Sequence, residues 1–243
     1  GAEIRLLGER PEEAARTLLG RPTAPVGRRR ELGLLTSTWE HTVDEPASSV
    51  VLVTAPPGMG KSRLRYELLR ELRRRGEPLT LLEGHGDALG AGSPFGVLAP
   101  AIRRWAGARE GDAPERVRAA LYTKLARRLP RDQATLERVF RFLSELVGAP
   151  VDAPDDEALA AARQDPMLLG EATKRAFADW IHAETEAQPV LVLLEDLHWG
   201  DLPSLKFVEA ALARCPERPL MVLALARPEV HERFPDLFRD HAT

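Results

Sequence analysis

One cysteine, Cys215, stands in 243 residues. A lone cysteine excludes internal disulfides and fits a reducing compartment. No His/Asn framework accompanies it, so we read it as a packing residue rather than a nucleophile. Aromatic residues make up only 5% of the chain, and none is interleaved with the basic runs as single-strand stacking would require. The formal net charge is −3, which leaves no basic excess of the kind nucleic-acid binding uses. No apolar run approaches the roughly 18 residues a membrane span needs. The first 30 residues are Arg- and Glu-rich, without the apolar stretch of a secretory signal. These absences lead us to expect a cytoplasmic protein with no membrane partner and no direct nucleic-acid binding.

What is present is a hydrophobic fraction of 44% against 29% charged residues, ordinary for a globular domain. Arginine supplies nearly all the basic charge, and alanine and proline are abundant, as in GC-rich bacterial coding. Residues 1–24 are polar and carry Pro11 and Pro22, and are expected to form a leader or linker before a core over 25–243. From there apolar spacing predicts a helix over 28–43, a strand over 49–54, a helix over 61–75 and a strand over 79–83. Four helical stretches follow, at 95–107, 114–129, 134–148 and 167–187. Breaks fall at Gly111-Asp112, at Pro130 and in the acidic segment 149–157, taken as a solvated loop. A continuous apolar run at 189–195, a helix at 202–213 and a last strand at 220–226 complete the pattern. Continuous apolar runs suit strands buried on both faces. Strands alternating with helices predict an α/β fold with a mostly parallel sheet flanked by helices, with 95–187 as a helical insertion.

Chemistry concentrates in APPGMGKS, residues 55–62, between the first strand and its helix. That setting is the one a phosphate-cradling loop requires. Gly58 and Gly60 let backbone N–H groups turn inward. Lys61 places a cation on the β- and γ-phosphates, and Ser62 offers a hydroxyl to Mg²⁺. The helix N-terminus favours the same anion. Pro57, Gly58, Met59, Gly60, Lys61, Ser62 and Arg63 are therefore the expected nucleotide-contacting stretch. Ala55 stands where the motif has glycine. If that position needs positive φ, a methyl group costs on the order of 1 kcal/mol.

A second feature is the acidic end of the strand VLVLLED, 190–196. One carboxylate would serve the Mg²⁺ and the other would orient or deprotonate the attacking water. Position assigns Glu195 to the metal and Asp196 to the water. The roles can swap, because successive strand residues point to opposite faces. Asp201, before Leu202-Pro203-Ser204, reads as a helix cap. His198, just past the carboxylates, is open to either phosphate contact or sheet-edge packing.

VGRRREL at 26–32, APPGMGKSRL at 55–64, LLEDLHWGD at 193–201 and LALARPE at 223–229 follow in that order. Together they resemble the STAND branch of AAA+-type P-loop ATPases. More narrowly, they resemble the ATPase module of large LuxR-type regulators and of ATPase-fused Ser/Thr kinases or cyclases. The resemblance implies ATP or ADP with Mg²⁺ as ligands. It places Val26, Gly27 and Arg28 against the adenine and makes Arg227 the sensor of the γ-phosphate. It further implies a signalling switch with slow hydrolysis, covalently linked effector or sensor domains, and nucleotide-dependent self-association. In that family a further strand, a helical lid and a winged helix follow the last motif. They are expected outside these 243 residues. A non-hydrolysing nucleotide-binding module and a DNA-associated AAA+ ATPase are the alternative readings.

Overall fold

The computed structural model describes residues 17–18, 21–22, 27–129 and 133–239. Val26, the break at Pro130 and most of the expected leader lie outside them. Among the described residues, the leader contributes an antiparallel pair of two-residue strands, Thr17–Leu18 with Arg21–Pro22.

Four strands form the sheet: β1 (Ser48–Thr54), β2 (Thr80–His85), β3 (Val190–Glu195) and β4 (Leu220–Ala226). Their spatial order is β1-β4-β3-β2, and every neighbouring pair is parallel. The registers Val50↔Val222 and Val192↔Val222 align the strands, so all four C-terminal ends meet along one edge. The expected α/β architecture is thus observed. Ligands of open α/β sheets bind at that edge.

Strand alternation sorts the two inner strands into two cores. Leu191, Leu193, Met221, Leu223 and Leu225 face one side. There they meet Leu35 and Trp39 of α1 (Arg29–Asp44) and Leu64, Leu68, Leu69 and Leu72 of α2 (Lys61–Arg75). Val190, Val192, Leu194, Val222 and Ala224 face the other side. They are covered by α3 (Leu98–Ala106), α4 (Pro114–Arg128), α5 (Gln133–Leu146), α6 (Glu157–Gln164), α7 (Pro166–Ala187) and α8 (Leu202–Arg214). A short α9 (Val230–Arg233) follows β4. Residues 95–187 are therefore a helical layer on one sheet face. Fully buried Glu184 of α7 ties that layer together. It accepts from Thr80 Oγ1 at 2.8 Å and Trp180 Nε1 at 3.2 Å, and pairs with Arg128 of α4 at 3.1 Å.

Three elements depart from expectation. Strand β2 extends to His85, because Gly84 and His85 keep register with Leu194 and Glu195. Gly84 can do so only without a side chain, as a Cβ there would lie 2.6 Å from Val97 Cγ1. The acidic segment is followed by α6, capped by Asp156 through the Leu159 N–H. Helix α3 starts at Leu98 rather than 95, because Phe95 takes φ 61 and is tied to Asp201.

Cys215 is fully buried at the end of α8. Burial pushes its thiol up to about 11. Only about one thiol in a thousand is then ionised at pH 8. We expect thiol reagents to leave native protein unlabelled at that pH and to label it stoichiometrically in denaturant. Rapid native labelling would contradict the packing role.

Candidate nucleotide site

The loop 55–60 leaves β1 at the ligand edge. Ala55 N–H still donates to Ala226 O at 3.2 Å, extending the β1–β4 ladder by one residue. Ala55 is not among the positive-φ residues, so the condition under which its methyl group would cost energy is not met. The left-handed positions are Gly58, φ 79, and Gly60, φ 85, and neither has a heavy atom within 4 Å of where a Cβ would stand. Pro57, Gly58, Met59 and Ser62 are exposed. Helix α2 begins at Lys61 with no side-chain cap and no acidic residue in its first turn. Its leading N–H groups therefore face the loop unneutralised, which suits an anion. Lys61 Nζ donates to Ala55 O at 2.6 Å and Pro56 O at 3.1 Å, folding the ammonium over the loop.

Arg28 reaches the same loop. Its Nη2 donates to Met59 O, while Nη1 pairs with Glu31 at 2.7 Å. Gly27 has φ 83 in open space. Arg28 and the loop are thus neighbours, and Val26 lies outside the described residues. Arg63 turns elsewhere: its guanidinium pairs with buried Glu67 and lies 5.2 Å from the Tyr66 ring.

Alternation along β3 puts Glu195 on the face of Leu191 and Leu193, toward α2. There Arg65, one helical turn beyond Lys61, pairs with Glu195 and lies 3.6 Å from Glu83 of β2. Burial raises the Glu195 carboxyl above its ordinary range, and the Arg65 charge opposes that shift. Asp196 differs. It takes left-handed φ 46, ψ 41, and its side chain is 42% exposed, against 14% for Glu195. His85 Nε2 stands 3.8 Å from Asp196 Oδ2. Gly86 makes this turn possible, because a Cβ there would lie 2.4 Å from Asp196 O. The two acids are adjacent in sequence yet sit in unlike environments. One is neutralised by an arginine and the other is open to the site.

Past the turn, a single 3-10 turn spans Leu197–Trp199. His198 is 6% exposed, and burial lowers its pKa from the ordinary value. Its Nδ1 accepts the Arg227 backbone N–H at 3.5 Å, and its carbonyl accepts Arg233 Nη1 at 3.2 Å. His198, Arg227 and Arg233 line a cavity of about 420 Å³ with Trp199, Glu229 and Glu232. Arg227 thus sits at the ligand edge, directly after β4.

Asp201 is a cap and more. Its carboxylate accepts from Ser204 N at 2.8 Å, Ser204 Oγ at 2.8 Å, Phe95 N at 3.0 Å and Val97 N at 3.2 Å. Sequence reading finds the cap but not the tie to 95–97, across 106 residues. Asp201→Ala would orphan three backbone N–H groups and is expected to cost about 2–4 kcal/mol. In a chain of this size that lowers Tm by roughly 5–15 °C. An unchanged calorimetric melt would refute it. Arg65 and Arg233 were also missed. Arg65's spacing of four from Lys61 was the signal that could have flagged it, whereas Arg233 carried none.

Do these residues fit Mg²⁺ and a nucleotide? Among the described residues, no group of three or more His, Cys, Asp or Glu is placed to hold a metal. The donor set here is Ser62 and the 195–196 carboxylates beside an open loop of N–H donors. That suits Mg²⁺, which keeps waters and shares phosphate oxygens. When bound, the ion would neutralise phosphate charge. This chain's own part would be to cradle phosphates with the 58–62 backbone, to place Lys61 on them, and to present Asp196 as an open carboxylate for a water. Ser62 and one carboxylate of the 195–196 pair, Glu195 by position, would hold the ion.

A glycine-rich loop joining a parallel strand to an uncapped helix, with acids ending a strand one removed across the sheet, defines a P-loop nucleoside triphosphatase. A family profile described as the AAA ATPase domain matches residues 24–223, and the chain belongs to that family. It is accordingly a nucleotide-binding ATPase module. It is also similar to an uncharacterized protein of Rhizobium meliloti (strain 1021), 26% identical over 212 residues. The match covers 86% of this chain and 19% of that protein. No helix among the described residues is long and apolar enough to cross a membrane.

Proposed function

We propose that this module is the nucleotide-dependent switch of a larger bacterial regulator of the STAND type, working in the cytoplasm with ATP or ADP and Mg²⁺ and hydrolysing ATP slowly. Its partners are covalently linked sensor or effector domains, and it self-associates in one nucleotide state. Neither membrane nor nucleic acid is engaged by this chain directly. The core spans 25–243.

The observation that carries the reading is the division of labour at the carboxylate pair. Glu195 is held by Arg65, and only Asp196 is open. A site with one free acid suits a timer more than a motor. Glu195 would have to leave Arg65 to serve the metal, so each turnover includes a rearrangement. Such coupling of a local charge event to a bistable element is how nucleotide switches work. The small share of the Rhizobium meliloti protein that aligns supports a module within a longer chain.

The test is single-turnover and steady-state hydrolysis of Mg-ATP, alongside hydrogen exchange in the ATP and ADP states. We expect turnover well under 1 s⁻¹, the low end of the roughly 1–10³ s⁻¹ usual for enzymes, and different protection of 193–202 in the two states. Fast turnover with identical protection would exclude a switch. A second reading, a non-hydrolysing module, draws on the same Arg65–Glu195 pair. Tight nucleotide binding with no measurable turnover would favour it.

A further inference from the structure

We propose that His198 is the positioning residue that couples the phosphate-sensing Arg227 to the Asp196 turn, so that occupancy of the γ-phosphate position is transmitted to the catalytic carboxylate. This inference rests on the reading of Arg227 as a phosphate sensor.

The connection is built from two hydrogen bonds of long sequence separation. Arg227 N–H donates to His198 Nδ1, and Arg233 Nη1 donates to His198 O. The first holds the residue that follows β4 and the second holds the last residue of α9. Both converge on the 3-10 turn that Asp196 begins, where Trp199 N–H donates back to Asp196 O at 2.8 Å. Arg227 lines the cavity, and its backbone N–H donates to the imidazole. A guanidinium drawn toward a phosphate shifts that N–H, and the imidazole carries the shift into 196–199.

Packing alone does not account for a histidine here. Nδ1 is an acceptor, so the neutral ring carries its proton on Nε2. That Nε2 is buried with no hydrogen-bond partner among the described residues. A buried unpaired donor is costly, and an apolar side chain of similar size would fill the space without it. What the apolar replacement could not do is accept the Arg227 N–H. Gly86 against Asp196 O, and Gly200 with its own Cβ position 3.0 Å from Leu197 Cδ1, leave the turn little slack. Movement at His198 is therefore passed on rather than absorbed.

The experiment is a double-mutant cycle read as the ratio of ATP to ADP affinity, measured with Mg²⁺ on the whole chain by calorimetry. Arg227→Ala should reduce the ratio by about tenfold or more, within the span of coupling energies seen between sites. His198→Leu should remove most of the same preference while leaving ADP affinity nearly unchanged. His198→Asn, whose Oδ1 can accept the Arg227 N–H, should restore part of it. The double variant should be no worse than Arg227→Ala alone. If His198→Leu proves too unstable, Arg233→Met on the exposed α9 releases the same turn and should lower the ratio to a smaller degree. Independent, multiplying effects of His198 and Arg227, or an unchanged ratio in His198→Leu, overturn the coupling. If Arg227→Ala itself leaves the ratio unchanged, the sensor reading has failed, and the coupling falls with it.

Discussion

Lys61→Ala abolishes nucleotide binding, with Mg-ATP affinity falling by on the order of 100-fold or more, close to 3 kcal/mol for a charge-assisted contact to phosphate. The wild-type ammonium is already folded over the loop by Ala55 O and Pro56 O. It needs only to exchange two carbonyls for phosphate oxygens. Its removal touches no core residue, so the melting temperature without nucleotide should stay within about 2 °C, as for a surface substitution. Loss of binding with an intact melt isolates the phosphate contact. Retained binding would mean that the ligand sits elsewhere.

Asp196→Ala gives the opposite split. Binding of Mg-ATP should change little, while turnover falls by roughly 10²–10⁴-fold, the usual contribution of a positioned general base. The exposed carboxylate at φ 46 has no buried partner to abandon. Glu195→Ala should behave differently. It strips Arg65 of its closest anion in a half-buried site, so it should lower stability as well as activity. Single-turnover measurements on both variants, with melts, separate the roles. Turnover that survives Asp196→Ala and vanishes with Glu195→Ala would exchange the assignments.

Much of this was legible in the sequence because the signals were local. Apolar spacing set α2 to Lys61–Arg75 and β4 to Leu220–Ala226. The loop and the acidic strand end were readable from residue type in their strand–helix setting. What escaped depends on distant partners. Strand order requires β1 to pair with β4, far away in the chain. Arg65 meets Glu195 across 130 residues, and Asp201 reaches Phe95 across 106. Ala55 sets a condition that only the backbone resolves. A methyl group there costs energy if φ is positive, but the backbone at 55 simply continues the ladder, and the glycines at 58 and 60 carry the turn. Helix α6 was hidden because its alanines give no strong apolar stripe next to an acidic segment.

The most direct test of the account is a thermal melt of nucleotide-stripped protein titrated with Mg-ADP and Mg-ATP. Ligand at about 100 times its dissociation constant stabilises the folded state by about 2.7 kcal/mol. That should raise Tm by roughly 5–10 °C for a chain of this length. The shift should saturate and should disappear in Lys61→Ala. A melt that millimolar nucleotide leaves unmoved in the wild type would contradict the nucleotide site itself.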